Sequence, residues 1–200
     1  MNFPLCPRFQ AVLFDMDGTL LDTLSDMKDA VNHILLENGW PQRTLEEIRA
    51  FVGNGAAKLM ERAIPEPIAP QRFHEILVSY KDWYQAHNCV KTAPYPGIPE
   101  VLAELEKMGV KTAVVSNKPD ATTKALAEKF FPGMPALGQR DGVDPKPSPA
   151  LVAQSLSALG VRPENAVYVG DSEVDVATAR NAGLPLIAVS WGLSLIHISE

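Results

Sequence analysis

Three short apolar runs, AVLF (11–14), VKTAVVS (110–116) and AVYVG (166–170), each break off into a polar cluster. Runs that are nearly continuously apolar and separated by helical stretches belong to a parallel sheet covered on both faces, because a strand with one wet face would alternate. The intervening helices are legible from apolar residues at three- and four-residue spacing and from their stops. They are expected over 99–108, over 120–130, from Ser148 and Pro149 to the stop at Gly160, and over 173–182 with Gly183 closing the last; PLIAVS (185–190) reads as a final strand.

Between the first run and the rest, residues 21 to about 91 carry only helical signals. Met27, Ala30, Val31, Ile34 and Leu35 share one face, and Gly39 with Pro41 supplies a stop. Thr44 followed by Glu47 has the form of a capping box, another helix starts near Gly55, and Phe73, Ile76, Leu77, Tyr80, Trp83 and Tyr84 form a stripe read as helix core. The Pro/Gly hinge APYPGIPE then returns the chain to the strand–helix alternation. The expected fold is α/β, a Rossmann-like parallel sheet core with an inserted helical cap. The core takes residues 1–20 and 92–200, and the cap takes residues 21–91.

In an open parallel sheet, ligands bind beyond the carboxyl ends of the strands. Here those ends read Asp15-Met16-Asp17-Gly18-Thr19, Ser116-Asn117-Lys118 and Gly170-Asp171-Ser172-Glu173-Val174-Asp175, with Lys146 in the loop DPKPSP. Neighbouring carboxylates repel and are costly to desolvate unless a cation joins them. Hard oxygen donors such as Asp15 and Asp171 suit Mg²⁺, while Ser116 and Lys146 offer a hydrogen-bond donor and a point charge to a phosphate. With the charge conflict lowered by a metal, a carboxylate can attack phosphorus. The expectation is a magnesium-dependent phosphoryl-transfer site.

The remaining composition narrows the partners. A formal net charge of −6 and a pI near 5.3 argue against nucleic acid or an acidic membrane, though not against a small anionic substrate. No apolar run approaches the ~18 residues of a membrane span, and the amino terminus has no secretory pattern. Cys6 and Cys89 lack metal-ligand spacing and read as reduced thiols in a cytoplasmic protein, monomeric or homodimeric.

DMDGTL, VVSNK, the lysine of KPSP and GDSEVD, in this order, resemble the four motifs of the haloacid dehalogenase-like hydrolase superfamily. The resemblance covers roughly residues 9–20 and 92–192, and the helical block sits where that family carries its cap. It implies Asp15 as the nucleophile that becomes phosphorylated and Asp17 as the acid/base. Mg²⁺ would be held by Asp15, the Asp17 main-chain carbonyl and Asp171, with Asp175 in support. Ser116, Asn117 and Lys146 would bind the phosphoryl group, with Gly18 and Thr19 shaping the loop and adding donors. FVGNGAAKLMERA (51–63) is similar to the cap of phosphoglycolate phosphatases within the superfamily, which makes 2-phosphoglycolate the expected substrate among small phosphorylated metabolites. Asp17 argues against a dehalogenase. A sugar phosphomutase, a pyrophosphatase or nucleotide hydrolase, and a non-catalytic binding member are the other readings of the same core. Lys58 and Arg62 read as solvated surface, and His33, His74, His87 and His197 fall outside every motif. The end LSLIHISE departs from the family pattern, and deletion of residues 193–200 is expected to leave melting temperature and activity nearly unchanged.

Overall fold

The structure is a computed structural model describing residues 8–193. Its strands are β1 (Ala11–Phe14), β2 (Leu21–Asp22), β3 (Ala93–Pro94), β4 (Lys111–Pro119), β5 (Ala136–Gln139), β6 (Ala166–Gly170) and β7 (Leu186–Ala188). The helices are α1 (Leu24–Glu37), α2 (Leu45–Phe51), α3 (Gly55–Ala63), α4 (Pro70–His87), α5 (Ile98–Lys107), α6 (Asp120–Phe130), α7 (Ala150–Leu159) and α8 (Glu173–Ala182). Five strands form one parallel sheet in the order β5-β4-β1-β6-β7. β1 lies at its centre, so its Asp15 end faces the ends of both β4 and β6.

The two-residue period of a strand sends alternate side chains to opposite faces. In β1, Val12 and Phe14 join Val114, Val167 and Val169 in a layer closed by Ile98 of α5 and Leu126 and Ala127 of α6. Ala11 and Leu13 face the other way, with Ala113, Val115 and Tyr168, under Leu151, Val152 and Leu156 of α7 and Ala179 of α8. Both faces of every central strand are therefore buried, which is why those strands read as unbroken apolar runs.

Helices α1–α4 enclose a third cluster, with Ile34, Leu35, Ile48, Met60, Ile76 and Tyr80 among its members. The Thr44–Glu47 capping box opens α2 as the spacing predicts, each residue's side chain bonding the other's backbone N–H. The chain enters and leaves this block through the antiparallel ribbon β2–β3, with Leu21 opposite Pro94 and Asp22 opposite Ala93. Just beyond it, buried Asp26 of α1 accepts hydrogen bonds from the N–H groups of Lys91 and Thr92 and from the Thr92 hydroxyl, at 2.8–3.0 Å. The two passages are thus fastened together.

Two features differ from the sequence reading. Leu21–Asp22 is strand where only helix was expected, and β5 is an edge strand that the spacing did not suggest. β4 also runs past Ser116 to Pro119, with a register shift against β5 between Val115 and Pro119. Such irregularities re-aim side chains beside active sites, and Ser116, Asn117 and Lys118 all fall within this one.

Candidate active site

β1 delivers Asp15 to the sheet's carboxyl edge, where its N–H extends the pairing to β6 by bonding Val169 O at 2.9 Å. Its Oδ1 accepts from the Met16 N–H at 2.7 Å and lies 2.9 Å from the Lys146 ammonium. The following turn needs Gly18, at φ +85°, and a Cβ there would stand 2.4 Å from Asp171 Oδ2. The Gly18 N–H bonds Leu21 O and the Thr19 N–H bonds Met16 O, so neither amide is spare for a ligand, contrary to the expectation. The Thr19 hydroxyl donates to Asp171 Oδ1 at 3.1 Å, which makes Thr19 a holder of a carboxylate rather than of a phosphate.

Lys146 is placed by Asn117. The Asn117 amide donates to Lys146 O and its carbonyl accepts from the Lys146 N–H, at 3.0 and 2.7 Å. With its side chain spent in this way, Asn117 positions the lysine; the sequence reading had it bind substrate. The Lys146 ammonium is shared between Asp15 and Asp175, 2.9 and 2.8 Å away, and reaches the Tyr168 hydroxyl at 3.2 Å. Asp175 is fully engaged: Oδ1 takes Lys146 and Tyr168, while Oδ2 accepts from the Ser172 hydroxyl and the N–H groups of Asp171 and Ser172. It also completes a capping box with Ser172 at the start of α8. Gly170 permits this packing, because a Cβ there would lie 2.4 Å from the Asp175 Cβ. Gly170→Ala is expected to cost about 1–3 kcal/mol through overpacking, measured as a lower denaturant midpoint at unchanged m-value.

Desolvation by burial pushes the Asp15 carboxyl well above its ordinary range, helped by Asp175, against the pull of Lys146. Asp175 is also desolvated, but Lys146 and the Ser172 donors outweigh that and hold it low. Burial alone would lower the Lys146 ammonium; the two carboxylates raise it instead, so it stays charged. Asp15, Asp171 and Asp175 are buried and each place an oxygen within 4.8 Å of the others, with Lys146 shared between Asp15 and Asp175. Such an all-oxygen set fits a hard divalent ion. Asp17 is not among these side-chain oxygens.

The Asp17 carboxylate turns instead to the Thr23 hydroxyl at 2.6 Å and to the Lys118 ammonium at 3.1 Å. Lys118, 7% exposed, also donates to the Tyr84 hydroxyl of α4 at 2.8 Å and lies over that ring. Sequence reasoning missed both residues. Lys118 follows Ser116 and Asn117 and was passed over, and Tyr84 was taken as packing. A hydroxyl on a buried apolar stripe is the signal that could have found it, since buried phenols seek polar partners. Tyr80, one turn earlier, stacks on Tyr84 with centroids 5.8 Å apart. Burial raises both phenols far above their ordinary value, so they stay protonated.

Asp15, Asp17, Ser116 and Lys146 share one cleft with Tyr80 and Tyr84, and its cavity of about 70 Å³ suits a ligand of few atoms. Arg49, Gly53 and Gly55 reach it from the helical block, whereas Lys58 and Arg62 stay exposed on Glu61 and the Phe51 carbonyl. One expectation needs correction: Leu193 is not dispensable by position, since its N–H donates to Asp171 Oδ2 at 2.8 Å and its side chain packs with α1–α4. Residues 194–200, like His197 and Cys6, lie outside the described residues. His33 and His87 both stack on Trp83, and neither lines the cleft.

Fold and site define an α/β protein with an acidic, metal-competent centre at the carboxyl edge of its sheet. The chain belongs to the haloacid dehalogenase-like hydrolases, whose family model matches residues 12–189. It is 36% identical over 195 residues to the phosphoglycolate phosphatase of Pseudomonas savastanoi pv. phaseolicola, covering 90% of this chain and 69% of that one. It is 34% identical over 200 residues to the phosphoglycolate phosphatase of Mesorhizobium japonicum, covering 94% and 86%. Among solved structures, a candidate phosphoglycolate phosphatase from Lactobacillus delbrueckii subsp. bulgaricus superposes with a TM-score of 0.87 at 36% identity, covering 94% of this chain and 89% of that one. No described helix is long and apolar enough to cross a membrane.

Proposed function

We propose that this protein is a Mg²⁺-dependent phosphatase that hydrolyses a small phosphomonoester, 2-phosphoglycolate, through an aspartyl-phosphate intermediate, with α1–α4 as its cap. One observation carries the reading: the buried Asp15, Asp171 and Asp175 oxygens lie within 4.8 Å of one another, with Lys146 bridging Asp15 and Asp175. The substrate follows the similar proteins, and the small cleft agrees with it.

In this reading Asp15 is the nucleophile. The Met16 N–H and Lys146 hold Oδ1, which leaves Oδ2 to attack phosphorus while the bond to the leaving oxygen breaks. Asp17, oriented by Thr23 and Lys118, gives its proton to that oxygen and then takes one from the water that hydrolyses the acyl phosphate. Ser116 and Lys146 bind the phosphoryl oxygens, and Asn117 and Asp175 keep the lysine in place. Asp15 and Asp171, with the Asp17 carbonyl, would hold Mg²⁺, which when bound supplies charge neutralisation for the transferring group. Asp175, through Lys146 and Ser172, supports that set. The setting is cytoplasmic in the same reading.

Phosphate release from 2-phosphoglycolate, sugar phosphates and pyrophosphate, with Mg²⁺ or chelator, tests the proposal. Mg²⁺-dependent release that is fastest on 2-phosphoglycolate is expected, and no release from folded protein would overturn it. Asp17→Asn is expected to lower kcat by about 10²–10⁴-fold and to accumulate phosphoenzyme with a good leaving group, seen by rapid acid quench. Unchanged kcat would remove Asp17 from the proton-transfer role.

A further inference from the structure

Two buried lysines serve the cleft, and they are not equally occupied. Lys146 is divided between two carboxylates at 2.8 and 2.9 Å. Lys118 has one carboxylate, Asp17 at 3.1 Å, and one neutral phenol, Tyr84 at 2.8 Å. An ammonium carries three donors, so one Lys118 N–H has no acceptor among the described residues. The Tyr84 phenol accepts from Lys118, and its own hydrogen has no acceptor among them either. Two hydrogen-bond donors, one of them cationic, therefore sit together against the cleft, where the neighbouring Met27 and Leu59 have no polar group to offer. Such a site favours an anionic acceptor, because charge-assisted hydrogen bonds are about twice as strong as neutral ones. Arg49 and Lys81 also border the cleft but are exposed, where water weakens their selectivity.

We propose that Lys118 and Tyr84 form the specificity site of this enzyme, receiving a carboxylate borne directly on the ester carbon of the substrate. The placement follows from Asp17, which faces the leaving oxygen in the phosphatase reading on which this inference rests. Lys118 touches the same Asp17 oxygen that Thr23 holds, so in that reading its remaining donor stands beside the leaving group. A two-carbon acid phosphate spans that interval, whereas a sugar phosphate puts a neutral hydroxyl there. Tyr84 belongs to α4 and Lys118 to β4, so a bound carboxylate would also tie the helical block to the sheet.

The test compares 2-phosphoglycolate with ethyl phosphate, its counterpart lacking the carboxylate, on the Mg²⁺-loaded full chain. Wild type is expected to favour 2-phosphoglycolate by roughly 100-fold in kcat/KM. Lys118→Met is expected to bring that ratio to within about threefold of unity, and Lys118→Arg to restore part of it. Tyr84→Phe, which removes one oxygen from a buried ring, is expected to lower the ratio several-fold and carries the test if Lys118→Met does not fold. A ratio unchanged in these variants, even with both rates reduced together, would mean that Lys118 only positions Asp17, and would overturn the inference while leaving the phosphatase intact. Hydrolysis of neither ester by wild type would overturn the phosphatase reading, and this inference with it.

Discussion

Asp15→Asn is expected to abolish turnover and, in the same protein, to raise the melting temperature of the metal-free form. The first effect follows from removal of the proposed nucleophile, and loss of such a group costs at least about 10⁴-fold in kcat. The second follows from the electrostatics. Burial, with Asp175 nearby, lifts the Asp15 carboxyl well above its ordinary range, so keeping it ionised works against folding. The sign is that of a raised acid: its proton is released more readily from the unfolded chain. Stability is therefore lost as pH climbs from the unfolded value near 3.9 toward the folded one. Asparagine keeps an oxygen for the Met16 N–H and Lys146, and carries no charge to desolvate. Lys146 keeps Asp175 as its ion partner. Calorimetry in chelator at about pH 5 and pH 7.5 checks this, with the variant's advantage larger at the higher pH. Mg²⁺ should then raise the wild-type melting temperature by binding the folded state alone, and do little for the variant. A variant that keeps more than a few per cent of activity would remove Asp15 from the nucleophile's role.

Lys146→Met is expected to be the most destabilising single change in the centre. Methionine matches the alkyl stem but strands Asp15 and Asp175, both buried, without their shared cation. Breaking a buried pair from one side costs about 3–5 kcal/mol, and a domain of this size loses roughly 2–4 °C per kcal/mol. The expected fall in melting temperature is thus about 6–20 °C, with activity lost as well. Adding Asp15→Asn to Lys146→Met should raise the melting temperature by more than Asp15→Asn does alone, because the two residues touch and their effects are coupled. An equal rise in both backgrounds would show that the lysine is held by Asp175 alone.

What could be read from the sequence depended on how far each residue's role was local. β1, β4 and β6 announce themselves because both of their faces are buried, so parity leaves no polar residue to interrupt the run. β5 is an edge strand of four residues, ALGQ, with burial that alternates along it, and its Gly138 carries no strand signal. The ribbon β2–β3 is two residues long on each side and is fixed by tertiary packing that no local spacing encodes. In the site, the carboxylates and Lys146 stood out because acids at strand ends are costly without a cation. Lys118 and Tyr84 meet across 34 positions, and either one alone looks like surface charge or core. Thr19 and Asn117 were given to the substrate because a polar side chain at a strand end looks outward. Their hydrogen bonds to Asp171 and Lys146 show them spent on the protein itself.

The ribbon also bears on how the chain can fold. Leu21 and Asp22 lie directly opposite Pro94 and Ala93, and Asp26 seals the junction with Lys91 and Thr92. From the sheet's side, everything between those residues is topologically a hairpin turn. Loop-closure entropy grows only logarithmically with length, and once the stem forms, β1 and β4 can find their register as though the intervening helices were absent. The helical block is thereby rooted in the sheet by two short strands and meets it again where Tyr84 bonds Lys118.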